Sequence, residues 1–308
     1  MKDRRHWSGR EEKTSSWGLN FLLKLYRLTG RGFIVTLLYP IVGVYWLKEA
    51  GFRTESHRYL TRCYRYGLLK NAPNTFSSYR HLLFFAQTML DKLIFLAGHG
   101  TQTPIVFEGL EPVDDLIAQK KGILFATSHM GCIEALQAWG DKLHTREIVA
   151  LVYQQHSQEF TRILRQINPL VHIDFIDVAE LTPQTAMLLE EKLERGALVF
   201  VAADRVPQNL NNTVRLPFLG QEAAFPIGAV VLANLFHCPL FALNSRRVKT
   251  EQGTTYAMTF TLLSEGLHLS RQARKKGIES IMLGYIKALE ANIEKSPLDW
   301  SNFYDYWQ

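Results

Sequence analysis

Two uninterrupted apolar runs decide the fold: Ile123-Leu-Phe-Ala126 and Leu198-Val-Phe-Val-Ala202. Neither run alternates between apolar and polar residues, as a strand with one face in water would. Such runs are typical of strands that are covered on both faces, as in parallel sheets with helices on either side. They therefore predict an α/β fold with a buried central sheet.

Outward from these runs, strand-like and helix-like segments alternate over residues 101–308. The other predicted strands are 104–107, 147–152, 172–176, 239–244 and 256–263. The predicted helices are 132–143, 157–167, 183–194, 227–236 and 270–294. This alternation predicts a mixed, largely parallel sheet wrapped by helices, and we interpret residues 101–308 as one domain that carries the chemistry.

The composition is that of a globular protein. Hydrophobic residues make up 47% and charged residues 21% of the 308 residues, which is too apolar for a disordered chain and too charged for a protein of many membrane spans. Three cysteines (Cys63, Cys132 and Cys238) are too few for a disulfide framework, and no Cys-x-x-Cys pair suggests zinc. We therefore expect the chain to face the cytosol.

The charge is distributed unevenly. Residues 1–100 carry 16 Lys and Arg against 6 Asp and Glu, whereas the remainder carries 19 against 23. Within this basic part, residues 33–47 are an uncharged run rich in Tyr and Trp, interrupted by Pro40 and Gly43. Nucleic-acid-binding proteins do not add such a run to their basic face, so the pattern favours an anionic membrane surface.

Residues 1–100 are thus predicted to be a helical, membrane-associating region. A full span needs about 20 apolar residues, so we expect residues 33–47 to lie in one leaflet rather than to cross the bilayer. A helix buried in the core is the alternative. Two further helices are predicted at 53–70 and 76–96 from apolar residues at helical spacing.

The chemistry is expected directly after the first apolar run, in Ser128-His129-Met-Gly131-Cys-Ile-Glu134. Ligand and catalytic sites of open α/β sheets gather at the carboxyl ends of strands. With His129 in the turn after the strand, Glu134 in the first helical turn is predicted to reach back to the imidazole. A carboxylate on one ring nitrogen makes the other a stronger base. The alternative is a capping histidine with Glu134 in solvent.

An ordered set of motifs over most of the chain resembles the lysophospholipid acyltransferase superfamily. Ser128-His129-x-Gly131-x-x-Glu134 is similar to its His-x4-acid signature. Before it stand His6-Trp7 and Trp17-Gly-Leu19, and after it Ala203-Asp-Arg205, Val214-Arg-Leu-Pro-Phe-Leu-Gly220 and Phe225-Pro-Ile-Gly228. The set resembles the bacterial lipid A late-acyltransferase branch, the lauroyl and myristoyl transferases. The ending Asp299-Trp-Ser-Asn-Phe-Tyr304 resembles relatives associated with aryl polyene clusters.

The resemblance implies a glycerolipid acyltransferase-like fold and transfer of a fatty acyl chain from an acyl-carrier-protein or coenzyme A thioester to a hydroxyl of a lipid or glycolipid. His129 and Glu134 would be the catalytic pair. The implied partners are the carrier protein and membrane lipids, with no metal, no cofactor beyond the thioester and no nucleic acid. The implied location is the cytoplasmic face of a bacterial inner membrane. The alternatives are an acyl hydrolase and a non-catalytic lipid-binding protein.

Further residues acquire candidate substrate-binding roles. Asp204 and Arg205 follow the second apolar run, and the planar guanidinium of Arg205 suits a phosphate or an oxyanion; a structural ion pair is the alternative. Arg215 is a candidate for contacting the carrier's phosphopantetheine, or else a surface arginine. Phe225-Pro226-Ile-Gly228 is predicted to open a helix with Pro226 at its first position. Its amides would bind an oxyanion or shape the acyl pocket.

Overall fold

The computed structural model describes residues 16–99, 104–139, 146–152, 173–177, 182–206 and 212–307. The predicted helix at 157–167 and the end of that at 132–143 lie outside these residues. The described α-helices are α1 (Ser16–Lys48), α2 (Ala50–Arg65), α3 (Thr75–Leu96), α4 (Glu111–Ala118), α5 (Pro183–Glu194), α6 (Gly228–Phe236) and α7 (Arg274–Lys295). The strands are β1 (Val106–Glu108), β2 (Ile123–Thr127), β3 (Ile148–Val152), β4 (Ile173–Asp177), β5 (Leu198–Ala202), β6 (Thr213–Phe218), β7 (Gln221–Pro226), β8 (Leu240–Thr250) and β9 (Gly253–Ser264).

Seven of these strands form one sheet in the order β1-β9-β8-β2-β5-β3-β4. β2 lies between β8 and β5 and is parallel to both, and β3 and β4 continue in the same direction. Among the described strands of this sheet, β8 and β9 form the one antiparallel pair. All five residues of β2 are buried. The predicted mixed, largely parallel sheet wrapped by helices is therefore confirmed.

Two elements were not predicted from the sequence. One is α4, and the other is the antiparallel hairpin of β6 and β7. The hairpin turns at Leu219 and Gly220, which have φ values of 49° and 80°. Two successive residues of positive φ match the twist of paired strands, but a leucine in the sequence does not indicate such a turn.

The N-terminal helices pack on one another and on the body. α1 is kinked at Gly30, whose φ of 76° and ψ of 174° are not helical. After the kink, Ile34 and Val42 are buried against residues of α3, and Arg31 makes a two-point ion pair with Asp91 at 2.7 and 2.9 Å. Residues before the kink, Leu25 among them, pack in the same apolar cluster as Ile34.

The opposite face of α1 is apolar and exposed. Its exposed large side chains are Phe21, Leu28, Phe33, Leu37, Tyr39, Ile41, Val44, Tyr45 and Leu47. By length and composition, Phe21–Lys48 is apolar enough to cross a membrane, and only 11% of its most apolar stretch is buried. The predicted apolar helix is thus present, and little of it is core.

Candidate active site

The carboxyl ends of β2 and β5 bring two polar residues together. Thr127 pairs with Ala202 in the parallel register of these strands. His129 and Asp204 each lie two positions after this pair, and they are therefore neighbours at the edge of the sheet. The two residues are 75 positions apart in the sequence, and the parallel pairing of β2 with β5 brings them together in space.

Asp204 accepts two hydrogen bonds from His129. Its Oδ1 lies 2.7 Å from the imidazole Nδ1, and its Oδ2 accepts from the backbone N–H of His129 at 2.8 Å. Because an ionised carboxylate only accepts hydrogen bonds, this contact assigns the imidazole proton to Nδ1. Nε2 then carries a lone pair, and none of the described residues hydrogen-bonds to it. With 37% of the His129 side chain exposed, Nε2 is accessible to a substrate hydroxyl.

The Asp204 carboxylate is charged although it is fully buried. Burial raises the pKa of this carboxyl group, but the charge and hydrogen bonds of His129 and the charge of Arg205 outweigh burial and hold the pKa at about 2. A third hydrogen bond reaches Oδ2 from the Trp300 indole N–H at 3.0 Å. Asp204 therefore fixes the tautomer of His129 and stabilises an imidazolium when one forms.

The electrostatics of the site keep His129 neutral at neutral pH. Burial and the charge of Arg205 lower the pKa of the imidazole below its ordinary value of 6.5, Asp204 acts in the opposite sense, and Lys92 lowers it further. A neutral imidazole with a bare Nε2 is the form that accepts a proton.

Glu134 does not bind the imidazole, and that part of the sequence prediction is wrong. Its Oε1 lies 2.9 Å from Nζ of Lys92 on α3, and its Oε2 lies 3.6 Å from the Cys132 sulfur. Residues Ile133–Trp139 form a 3-10 helix in place of the predicted α-helix. In this arrangement the carboxylate points to α3, and Asp204 takes the position that spacing assigned to Glu134.

The turn after His129 depends on Gly131. Gly131 has a φ of 58°, and a Cβ there would lie 2.4 Å from the carbonyl oxygen of Ser245. Both facts exclude a side chain. Ser245 also stabilises the turn, because its hydroxyl accepts a hydrogen bond from the Cys132 N–H and donates one to the Cys132 carbonyl, both at 3.1 Å.

The C-terminal segment, residues 299–307, packs on the turn that carries His129 and on Asp204. The Gly131 N–H donates to the carbonyl of Asp299 at 2.9 Å, and the Ser301 N–H donates to the carbonyl of His129 at 2.9 Å. The Tyr306 hydroxyl donates to the carbonyl of Asp204 at 2.5 Å. Sequence reasoning noted this segment only as part of a resemblance, since its contacts with residues 129 and 204 arise from tertiary packing.

His81 on α3 connects the N-terminal helices to this segment. It is buried, and burial lowers its pKa to about 4, so the ring is neutral. Because a carbonyl can only accept, Nε2–H donates to the Trp300 carbonyl at 2.9 Å, and Nδ1 accepts from the Ser56 hydroxyl of α2 at 2.8 Å. The fully buried Trp300 is therefore held by α2 and α3 while its indole holds Asp204.

We expect Trp300→Phe to lower the free energy of unfolding by about 1.5–3 kcal/mol, the typical loss for a hydrogen bond to a charged group. Phenylalanine keeps most of the aromatic packing but cannot donate to Asp204. Denaturant unfolding measures the effect. Trp307→Phe is the matched control, because the indole of Trp307 donates to the uncharged carbonyl of Phe218. Equal losses in the two variants would contradict a special role for Trp300.

Arg205, predicted to position a substrate, acts through its charge on both His129 and Asp204. Its guanidinium donates to the carbonyl of Ser301, and its Cζ lies 5.6 Å from the ring centroid of Tyr304. It is half-buried. Through its charge, Arg205 contributes positive potential to the site.

The other predicted substrate-binding residues have different surroundings. Arg215 is exposed on β6 and lies 3.9 Å from Glu222 of β7. Phe225 is fully buried and packs on Phe218, Tyr285 and Tyr306, so it supports the site from within the core. Pro226 is the last residue of β7 and not the first of a helix, because it still pairs with Thr213.

Gly228 begins α6, as predicted for this turn. Asp204, another predicted substrate-binding residue, is fully buried, and its carboxylate accepts hydrogen bonds from His129 and Trp300. The described residues contain no group of three or more His, Cys, Asp or Glu side chains arranged to hold a metal ion. What they do contain is a neutral histidine, oriented by a buried aspartate and flanked by two cations, which can take a proton from a hydroxyl group.

Residues 73–308 match the family model of the bacterial lipid A biosynthesis acyltransferases. The match includes His129, Asp204 and Trp300, and thus the whole candidate site. No curated protein matches the chain. The family model covers most of the chain, and the protein therefore belongs to the bacterial lipid A biosynthesis acyltransferase family and is an acyltransferase.

Proposed function

We propose that this acyltransferase moves a fatty acyl chain from an acyl-carrier-protein or coenzyme A thioester to a hydroxyl of a lipid or glycolipid, with His129 as general base. One observation carries the proposal. The imidazole Nδ1 is 2.7 Å from the buried carboxylate of Asp204, which leaves an accessible lone pair on Nε2. The C-terminal sequence from Asp299 to Tyr304 supports placement in the aryl polyene-associated branch.

In the proposed reaction, Nε2 takes the proton of the acceptor hydroxyl while its oxygen attacks the thioester carbonyl. The tetrahedral intermediate collapses to an ester, and the carbon–sulfur bond breaks. The departing thiolate then takes the proton back from Nε2, which returns the imidazole to its starting state. Asp204 stabilises the transient imidazolium throughout. General-base help of this kind contributes roughly 10²–10⁴-fold to a rate.

Two cations support the step in which negative charge develops on the carbonyl oxygen. Arg205 and Lys92 both lower the pKa of His129 through their charge, so both add positive potential at the group that takes the proton. Preformed positive charge of this kind stabilises a transition state without reorganisation. We assign Glu134 the role of holding Lys92 there through its 2.9 Å ion pair, and we keep Glu134 as a catalytic-site residue on that ground.

The proposed base gives a pH dependence of defined sign. The ratio kcat/KM should fall as the pH drops through the pKa of His129, which lies below 6.5, because protonation removes the lone pair on Nε2. Arg205→Gln should raise that pKa and move the acidic limb to higher pH, since one positive charge near the imidazole is lost. Asp204 and Lys92 remain as the other charged neighbours.

Arg205→Lys is the matched control, because it keeps the charge and removes the planar fork. The acidic limb of its kcat/KM profile should lie at the same pH as in the unaltered protein. Rate profiles of kcat/KM against pH measure both variants. A limb that does not move in Arg205→Gln would show that Arg205 has no electrostatic effect on the base.

The exposed apolar face of α1 supports membrane association, and we propose the cytoplasmic face of a bacterial inner membrane. The part of α1 after its kink, residues 31–48, is about 27 Å long at 1.5 Å per residue. Its packing on α3 leaves one side in contact with the protein, so we place it within one leaflet, as predicted from Pro40 and Gly43. A lipid acceptor would then reach His129 from the membrane surface.

Ile41→Asp combined with Val44→Asp should weaken vesicle binding by about 10²–10⁴-fold, because each apolar side chain contributes about 1.5–3 kcal/mol when it enters lipid. The two residues are 61% and 53% exposed, so the change leaves the packing of α1 on α3 intact. Met187→Asp with Leu188→Asp on α5 is the control for two charges on an exposed apolar surface. Flotation with vesicles measures both, and equal losses would contradict the assignment.

A further inference from the structure

A groove of about 790 Å³ lies between α2, the β6–β7 turn and the C-terminal segment. One wall is a row of cations on α2, Arg58, Arg62 and Arg65. These residues follow one another at intervals of four and three positions, and so they share a face of the helix and span about 10 Å. The opposite wall includes Asn302 and Trp307.

Two of these cations make no ion pair among the described residues, although the charge of Asp305, which also lines the groove, acts on Arg62. Arg58 pairs with Glu55 at 2.9 Å and with Asp305 at 3.5 Å, whereas no ion pair engages Arg62 or Arg65 in the described part of the chain. Arg62 is held in place because its Cζ lies 4.2 Å from the ring centroid of Trp307. A stacked, oriented guanidinium in a groove is ready to bind phosphate oxygens, since little freedom is lost on binding.

A buried acceptor lies in the same groove. Asn302 is 2% exposed, and its Oδ1 has no hydrogen-bond partner among the described residues. A buried polar atom without a partner is costly, and a ligand hydroxyl or N–H would satisfy it. The groove therefore combines arginine donors for an anion with the polar residue Asn302 in its wall, which suits a phosphorylated polar headgroup.

The groove shares a wall with the active site. Tyr304 and Tyr306 line it, the ring of Tyr304 lies against Arg205, and the hydroxyl of Tyr306 donates to the Asp204 carbonyl. On the membrane side, α2 begins two residues after α1 ends. The row of cations thus stands on the helix that directly follows the apolar helix, and the opposite wall of the groove contacts Arg205 and Asp204.

From this placement we propose that the Arg62–Arg65 groove binds the phosphate-bearing headgroup of a membrane lipid and so positions the acceptor for His129. The proposal rests on the proposed function, whose acceptor it describes more closely. A carrier protein is the less suitable occupant, because the groove is concave, its oriented Arg62 lies against an aromatic wall, and its cationic wall belongs to the helix that directly follows the apolar helix.

The test uses the full chain in a His129→Ala background, so that no turnover alters the vesicles and failure of acyl transfer leaves the measurement unaffected. Binding is compared between phosphatidylcholine vesicles with and without phosphatidic acid. The variant Arg62→Gln with Arg65→Gln should bind the phosphatidic acid vesicles about a hundredfold more weakly, as expected for losing hydrogen bonds to a charged group. Lys70→Gln with Arg80→Gln, two exposed cations outside the groove, removes the same charge and should keep most of the binding.

Three results would overturn the proposal. Equal losses in the two variants would show diffuse attraction to the anionic surface. Binding of inorganic phosphate that depends on Arg62 and Arg65, without preference for phosphatidic acid vesicles, would show a site for a free anion. Loss of acyl-carrier-protein binding in the groove variant, with vesicle binding unchanged, would show that the groove docks the carrier.

Discussion

Asp204→Asn should lower the rate of acyl transfer on the order of 10⁴-fold, the loss expected when a histidine base is left in the wrong tautomer. The reason is that the two carboxylate oxygens of Asp204 have different hydrogen-bond donors. Oδ2 accepts from the backbone N–H of His129 and from the indole of Trp300, whereas Oδ1 faces the imidazole Nδ1. The single oxygen of asparagine must serve the two donors on the Oδ2 side.

The amide NH₂ of the introduced asparagine is then turned toward Nδ1 of the imidazole. Because the NH₂ group donates, Nδ1 must accept, and the imidazole proton moves to Nε2. A protonated Nε2 cannot take the proton of the acceptor hydroxyl. The variant should therefore fold and bind lipid, yet transfer almost nothing.

Single-turnover kinetics and thermal unfolding together measure this prediction. Asp91→Asn is the matched control, because Asp91 is also buried and paired with a cation, Arg31, but has no hydrogen bond to His129. Asp91→Asn should lose stability and keep most of its rate. If Asp204→Asn transfers acyl chains at nearly the rate of the unaltered protein, His129 does not depend on Asp204 for its tautomer.

His129→Ala should abolish transfer, and adding Asp204→Asn to it should cost nothing further. The two residues act as one unit, so the effects of removing them do not add. Alanine keeps the backbone N–H that donates to Asp204 at 2.8 Å, and 37% of the side chain is exposed. The variant should therefore remain folded.

Rates of the single and double variants, measured with the same thioester donor, test the non-additivity. A double variant slower than His129→Ala alone would mean that Asp204 acts on the substrate independently of the imidazole. A His129→Ala protein with substantial turnover would mean that another group takes the proton.

The sheet was predictable because its strands are marked by local composition. The β2 and β5 runs are apolar throughout, and all of β2 and most of β5 are buried, so pattern and structure agree. The β6–β7 hairpin was not predictable, since Leu219 occupies a turn position of positive φ that leucine rarely takes. Because the hairpin was not predicted, Pro226 was assigned to the start of a helix, whereas it is the last residue of β7.

The partner of His129 illustrates what one-dimensional spacing misses. Glu134 is five positions away and was the natural candidate, whereas Asp204 is 75 positions away and meets His129 only through the register of β2 and β5. A signal was present in the sequence: His129 and Asp204 each lie two positions after the last residue of their strand, Thr127 and Ala202. Lys92 and Trp300 had no such signal, because they reach the site from a helix and a C-terminal segment whose docking depends on tertiary packing.

The central claim, transfer to a hydroxyl through His129, is tested most directly by the product. Purified full-length protein is incubated with an acyl-carrier-protein thioester and bacterial membrane lipids, and the lipids are examined by mass spectrometry. We expect a lipid heavier by one acyl group with the unaltered protein and no such lipid with His129→Ala. Release of free fatty acid without any acylated lipid, or the same acylated lipid from His129→Ala, would contradict the claim.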